Sequence, residues 1–214
     1  MVVLHYANIS RNEASGVSVV VPQIVSSMAR VADVALYNYG KESADIKVPA
    51  VLLTHTQYND DYRTFPAPFS HPDIVIFHSP FGMHRIPKLC GELKKDGIPY
   101  IIVPHGCFSR FAIRKKYLKK RLALDIYFRK AFLGAAAIQY LSDAEQTMSV
   151  LKYPSIILPN GVNISQYKVR DYSEIKRIVF IGRKDIYHKG IDLLINGCAI
   201  IKELLSAKKA EIHL

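Results

Sequence analysis

The chain has 214 residues, half of them hydrophobic, and a formal net charge of +11. This apolar content can fill a globular core, which excludes a disordered protein. No apolar run reaches the roughly 20 residues that span a bilayer, and residues 1–6 lack the basic start and cleavage site of a signal peptide, so we expect a cytoplasmic protein. The charge indicates an anionic partner: nucleic acid, a phospholipid surface or a phosphorylated small molecule.

Short apolar runs bounded by Pro, Gly or His predict β-strands at 2–6, 32–39, 73–77, 100–103, 136–140 and 155–158. Helical segments are predicted between them at 17–30, 86–95, 110–133 and 143–151. The runs are apolar throughout, which is typical of a parallel sheet covered on both faces. We therefore predict an α/β, doubly wound, Rossmann-like fold. Ser142 and Glu145 have the spacing of a capping box at a helix start.

A polar stretch, Asn163–Lys176, contains no apolar run and predicts an inter-domain linker. The domains are then expected at 1–163 and 177–214, with the linker at 164–176. In the second part we predict a strand at 177–181, a loop at 182–190, a helix at 191–206 and a strand at 210–214. One β-α-β unit cannot bury its apolar faces, so we expect an incomplete second α/β domain.

Ligands of open parallel sheets bind beyond the carboxyl ends of the strands. Gly16 precedes a predicted helix there, whose free amides could receive a phosphate, although an ordinary turn is the alternative. His78 and His105 each follow a strand, and Gly106 lets a ligand approach the backbone beside His105. Either histidine could bind a sugar hydroxyl or transfer a proton, or could simply serve the structure.

Residues 110–130 contain nine Lys or Arg residues and one acid, Asp125. In a single helix, Lys115 would share a face with Lys119, and Lys116 with Lys120. Such a segment could bind anionic lipid at about 1 kcal/mol per basic residue, or could be a solvated helix face. The membrane-facing candidates are Arg114, Lys115, Lys116, Lys119 and Lys120.

Two cations flank the start of the last predicted helix. Arg183 follows a strand, and Lys189 precedes Gly190 and the helix. A guanidinium and an ammonium beside a helix N-terminus suit a diphosphate, whereas a surface loop is the alternative. The cysteines, Cys90, Cys107 and Cys198, are widely spaced and have no zinc-site pattern, so we expect free thiols and no metal.

Several segments, in this order, resemble the family 4 glycosyltransferases: the Gly16 loop, residues 104–106 followed by a basic helix, and residues 140–145, 158–163, 180–183 and 189–194. The resemblance implies a GT-B fold, in which two Rossmann-like domains face a cleft, and retaining transfer of a sugar from a nucleotide-sugar donor. No metal or other cofactor is implied. By the same resemblance, Arg183 and Lys189 bind the donor diphosphate with the Gly16 loop, and His105 with Gly106 contacts the transferred sugar or the acceptor.

The family also has a Glu-x7-Glu motif late in its second domain. Glu203 and Glu211 have that spacing but fall at a helix end and in a strand, so we interpret the match as coincidence. We therefore expect an enzyme fragment, inactive alone, from surface polysaccharide or glycolipid synthesis with a saccharide or lipid-linked acceptor. The alternatives are a non-catalytic Rossmann module that binds a membrane or nucleic acid, and a GT-B sugar-nucleotide epimerase. No motif that reads nucleic acid is visible.

Overall fold

The computed structural model describes residues 1–11, 15–40, 50–55, 57–114, 116–161, 176–182 and 186–214. Two compact units, Met1–Gly161 and Val162–Leu214, make up the chain. Apart from Lys176, the predicted linker at 164–176 lies outside the described residues. Lys176 itself begins a strand.

Seven parallel strands form the sheet of the first unit, in the order β3-β2-β1-β4-β5-β6-β7. They are β1 (Val2–Ala7), β2 (Asp33–Asn38), β3 (Val51–Thr54), β4 (Ile74–His78), β5 (Tyr100–Val103), β6 (Ala137–Tyr140) and β7 (Ser155–Ile157). This arrangement confirms the predicted Rossmann-like α/β fold. Strand β3 was not predicted; it lies at the edge of the sheet and is only partly buried.

The helices of the first unit are α1 (Gly16–Met28), α2 (Ile86–Lys95), α3 (Arg110–Arg114), α4 (Tyr117–Leu122), α5 (Arg129–Gly134) and α6 (Asp143–Met148). A π-helical turn, Ala123–Tyr127, joins α4 to α5. The prediction of one helix at 110–133 was therefore wrong. Lys116 has a φ of 63°, in the left-handed region, and a right-handed helix cannot pass through that conformation.

Both faces of the sheet are buried, which explains the continuous apolar strands. Val3 and Leu36 face α1, together with Val21 and Val25 of that helix. The strand residues at alternate positions, such as Leu4, point to the other face of the sheet. There they pack against α2 and α5 in the larger of the two hydrophobic clusters. Successive strand residues point to opposite faces, so two covered faces require an apolar residue at almost every position.

The described residues of the second unit include two parallel strands, β8 (Lys176–Val179) and β9 (Ala210–His213). Its helices are α7 (Ile186–Lys189), α8 (Ile191–Ile200) and α9 (Lys202–Ala207). Two expectations are corrected here: α7 lies where only a loop was predicted, and the predicted helix at 191–206 is divided at Ile201. Ile201 has a φ of −103°, outside the helical range, and so ends α8.

Among the residues that the structure describes, no helix is long and apolar enough to cross a membrane. The three cysteines are free, as predicted. Cys90 is buried, whereas Cys107 and Cys198 are half-buried. Burial raises the pKa of the Cys90 thiol to about 12.

Candidate functional site

A cleft of about 720 Å³ opens at the carboxyl edge of the seven-stranded sheet. Its walls come from the loops that follow β1, β2, β4 and β5 and from the start of α1; the lining residues are Asn8, Ser10, Ser15, Val17, Tyr39, Gly40, Ser79, Phe81, Gly82 and Cys107. From β1 the chain adds β2 and β3 on one side of the sheet and then crosses to β4 on the other side of β1, so the cleft straddles the switch point between β1 and β4. Open α/β sheets bind their ligands at this position.

Asn38, the last residue of β2, joins two walls of the cleft. Its Oδ1 accepts hydrogen bonds from the Ile9 amide at 3.0 Å and the Gly40 amide at 2.9 Å. Its Nδ2 donates to the Ile9 carbonyl at 2.9 Å. Asn38 is buried, so this one side chain satisfies backbone groups that water would otherwise have to reach. Asn38 was not among the predicted site residues, although a polar residue that ends an apolar strand was a usable signal.

The amino end of α1 lies beside the cleft. Gly16 is exposed, and its neighbours Ser15 and Val17 both line the cleft. Ser15 occupies the N-cap position without a side-chain hydrogen bond to the helix. Free amides at this end of a 13-residue helix attract anionic groups.

Three imidazoles, His5, His78 and His105, form a continuous hydrogen-bonded row that we name the histidine file. His5 Nδ1 lies 3.0 Å from His78 Nε2. His78 Nδ1 lies 2.9 Å from His105 Nε2. The corresponding ring centroids are 5.3 Å and 5.1 Å apart, so the rings meet through their edges.

The strand register explains how three distant residues meet. His5 of β1 pairs with Ile76 of β4, and His78, two residues further along β4, pairs with Val103 of β5. His105 follows two residues after Val103. Positions two apart in a strand share a face, so His5 and His78 point to the same face of the sheet. His105 lies beyond the end of β5, at the carboxyl edge, with a φ of 50°.

Burial keeps the histidine file neutral. His5 and His78 are buried, and His105 is half-buried. Desolvation lowers the pKa of His5 and of His105 to about 4. The pKa of His78 is also lowered, first by burial and then by the neighbouring histidines. Both ring nitrogens of His78 are occupied by His5 and His105. The interpretation of His78 as a ligand-binding side chain is therefore not supported.

Gly106 and Glu145 are linked at the same edge. Gly106 has a φ of 78°, which favours glycine. The Glu145 carboxylate accepts hydrogen bonds from the Gly106 amide at 2.5 Å and the Leu141 amide at 2.7 Å. Ser142 Oγ accepts from the Glu145 amide at 3.2 Å, as the capping box predicts. In a capping box the glutamate side chain would accept from the amide of Ser142. The Glu145 carboxylate instead connects α6 to the loop that contains His105 and Gly106.

Residues 110–130, which we name the basic segment, carry exposed apolar side chains beside their cations. Phe111 is 71% exposed and Leu118 is 82% exposed. A groove of about 560 Å³ is lined by Arg110, Phe111, Arg114, Tyr117, Thr147 and Met148. Lys116 and Lys119 are exposed, whereas Lys120 Nζ donates to the Ala112 carbonyl at 2.5 Å. Lys115 lies outside the described residues. Because Lys116 separates two helices, the pairing of these lysines along one helix face no longer holds.

In the second unit, Arg183 lies outside the described residues. Lys189 is exposed and ends α7. Gly190, with a φ of 61°, is the N-cap of α8. Lys189 therefore comes directly before the N-terminus of a 10-residue helix.

Within the described part of the chain, no group of three or more His, Cys, Asp or Glu side chains has an arrangement that would hold a metal ion. The histidine file is no exception, because both nitrogens of His78 and one nitrogen each of His5 and His105 are paired within the file at hydrogen-bonding distance.

No protein-family model matches the chain, and no curated protein matches it. Among solved structures, a chain described as trehalose-6-phosphate from E. coli bound with UDP-2-fluoro glucose matches with a TM-score of 0.57 at 12% sequence identity. The likeness shows the fold. The match covers 99% of the present chain and 64% of the E. coli chain, so the present chain spans less than two thirds of that structure.

Proposed function

We propose that the protein is a glycosyltransferase that transfers a sugar from a nucleotide-sugar donor to a saccharide or lipid-linked acceptor with retention of configuration. The observation that carries this proposal is the cleft across the β1/β4 switch point, whose lining combines serine and asparagine side chains with apolar ones. Its volume of about 720 Å³ falls within the range of small-molecule sites. The likeness to a structure that holds a UDP-sugar supports the same class of ligand.

In this proposal, His105 and Gly106 of the first unit contact the transferred sugar or the acceptor, and the helix end at Gly16 can bind a phosphate. Residues Arg183 and Lys189 of the second unit bind the donor diphosphate. The leaving nucleoside diphosphate gains negative charge as the glycosidic bond breaks, and fixed cations stabilise that charge. Neither a metal ion nor another cofactor takes part in this scheme.

Titration calorimetry of the chain with UDP, ADP, UDP-glucose and ADP-glucose tests the donor site. We expect Lys189→Ala to weaken binding of the preferred nucleotide by about 10-fold or more, because one charge-assisted hydrogen bond contributes about 1.5–3 kcal/mol. Arg183→Ala should weaken it at least as much. Lys208→Ala is the matched control, since it removes an exposed cation elsewhere in the second unit. Absence of binding to all four ligands, or equal effects of Lys189→Ala and Lys208→Ala, would refute the donor assignment.

We further propose that the basic segment holds the enzyme on the inner face of the plasma membrane, where surface polysaccharide and glycolipid precursors are assembled. Exposed cations bordering exposed aromatic and aliphatic side chains support this role. The cations attract anionic headgroups, and the apolar groups enter the lipid boundary.

Liposome flotation with and without phosphatidylglycerol tests the membrane proposal. The triple variant Arg114→Gln, Lys116→Gln, Lys119→Gln should bind anionic vesicles about 100-fold more weakly, given about 1 kcal/mol per charge and 1.4 kcal/mol per factor of ten. The control variant Lys94→Gln, Lys95→Gln removes exposed charges at the opposite, amino edge of the sheet. Binding that persists in the triple variant would contradict the proposal.

A further inference from the structure

Two of the three imidazoles in the histidine file are buried in the core. His5 and His78 are buried behind His105, yet each lies at hydrogen-bonding distance from the next ring. A buried imidazole costs more free energy than an apolar side chain unless its nitrogens are satisfied. Apolar side chains in the place of His5 and His78 would avoid this stability cost.

Proton accounting limits the file to two ordered states. A neutral imidazole has one N–H donor and one bare acceptor nitrogen, and burial keeps all three rings neutral at pH 7. Each of the two nitrogen pairs must share one proton. The protons therefore lie either on Nδ1 of every ring or on Nε2 of every ring.

The surroundings of His5 distinguish these two states. Its Nε2 is buried and has no hydrogen-bond partner among the described residues. The side chain shares its sheet face with Val3 and Ala7, and its register neighbours are Leu36 and Ile76. A proton on Nε2 would be a buried donor among apolar groups. Unpaired buried N–H groups are rarer than bare acceptors, so the state with every proton on Nδ1 is favoured.

We propose that His5 and His78 are positioning residues that hold His105 in its Nδ1–H tautomer, so that His105 can only donate a hydrogen bond to the ligand. His105 Nε2 accepts from His78 and is not available. The ring is therefore a neutral donor that recognises an oxygen atom with a free lone pair, such as a hydroxyl of the bound sugar. The tautomer assignment does not depend on the proposed function. The identification of the ligand as a sugar does depend on the proposed function.

Long-range ¹H–¹⁵N correlation spectra of the ¹⁵N-histidine-labelled chain at pH 7 measure the tautomer directly. We expect His105 to show a protonated Nδ1 and a bare Nε2, which is the opposite of the preference of a free neutral histidine side chain. His5 and His78 should show the same pattern. The exposed His84 is an internal reference. A bare Nδ1 on His105 in the unmodified protein would overturn the proposal without any variant.

Two substitutions test the coupling. His78→Leu removes the hydrogen bond that fixes the tautomer. His105 should then lose its single Nδ1–H form and show both tautomers, and the chain should bind UDP-glucose up to about 10-fold more weakly, the effect of one hydrogen bond. His78→Gln offers an amide that can accept from His5 and donate to His105, and should restore both readouts. An unchanged His105 tautomer in His78→Leu would overturn the coupling. A shifted tautomer with unchanged affinity would overturn the ligand contact alone, and no UDP-glucose binding by the unmodified chain would count against the proposed function instead.

Discussion

Acid should destabilise the first unit through the histidine file well before the carboxylates titrate. The pKa of His5 falls from its ordinary value of 6.5 to about 4 on folding, and that of His105 does the same. Between these values the unfolded chain binds more protons than the folded chain, so the free energy of unfolding rises with pH there. Stability is complete above pH 6.5 and declines as the pH falls towards 4.

The magnitude follows from the same two values. For one histidine, the free energy of unfolding should fall by about 2 kcal/mol between pH 7 and pH 5, and by about 3 kcal/mol once the pH is below 4. His105 should contribute a similar amount. The lowered pKa of His78 acts in the same direction. Such losses are a large fraction of the roughly 5–15 kcal/mol that stabilises most domains.

Urea unfolding at pH 7, 6 and 5, followed by near-ultraviolet circular dichroism of the buried tyrosines, measures this dependence. His5→Gln keeps a donor for His78 but does not titrate, so its loss between pH 7 and pH 5 should be about 2 kcal/mol smaller than that of the unmodified protein. His84→Gln, at an exposed position, is the control and should behave as the unmodified protein does. Equal pH dependence in His5→Gln and the unmodified chain would refute the reasoning.

Two further predictions concern side chains that hold the loops of the cleft. Glu145→Ala should lower the free energy of unfolding by about 3 kcal/mol, because it leaves the Gly106 and Leu141 amides without their acceptor; Glu145→Gln, which keeps an acceptor oxygen, should cost less, and equal losses would contradict this explanation. Asn38→Ala should cost about 3 kcal/mol in the same urea assay, since it leaves two amides and the Ile9 carbonyl unpaired. Asn38→Asp keeps the two acceptor contacts but sets a carboxylate oxygen against the Ile9 carbonyl, so it should also be destabilised. A loss below about 1 kcal/mol in Asn38→Ala would contradict the explanation.

The fold could be predicted from the sequence because its signal is local. A strand buried on both faces needs an apolar residue at nearly every position, and runs such as those of β1 and β4 show this without any partner in view. The same local patterns failed for the basic segment. Its composition suits one helix, but the left-handed Lys116 divides it, and residue type does not reveal that conformation.

The pairing of site residues was decided by tertiary structure. His105 was recognisable beside Gly106, but His5 looked like one more residue of an apolar strand, and nothing local links it to residues 73 and 100 positions further along the chain. Glu145 matched a capping pattern, yet its carboxylate contacts Gly106 across 39 residues.

Sequence alone determined which segments are buried and where most strands end. Both depend on residues that are neighbours along the chain: the apolar run itself and the Pro, Gly or His residues that bound it. The order of the strands and their register decided which of those ends share a cleft and which imidazoles share protons. Register depends on pairing between distant segments, and a shift of one residue would turn His5 to the other face of the sheet.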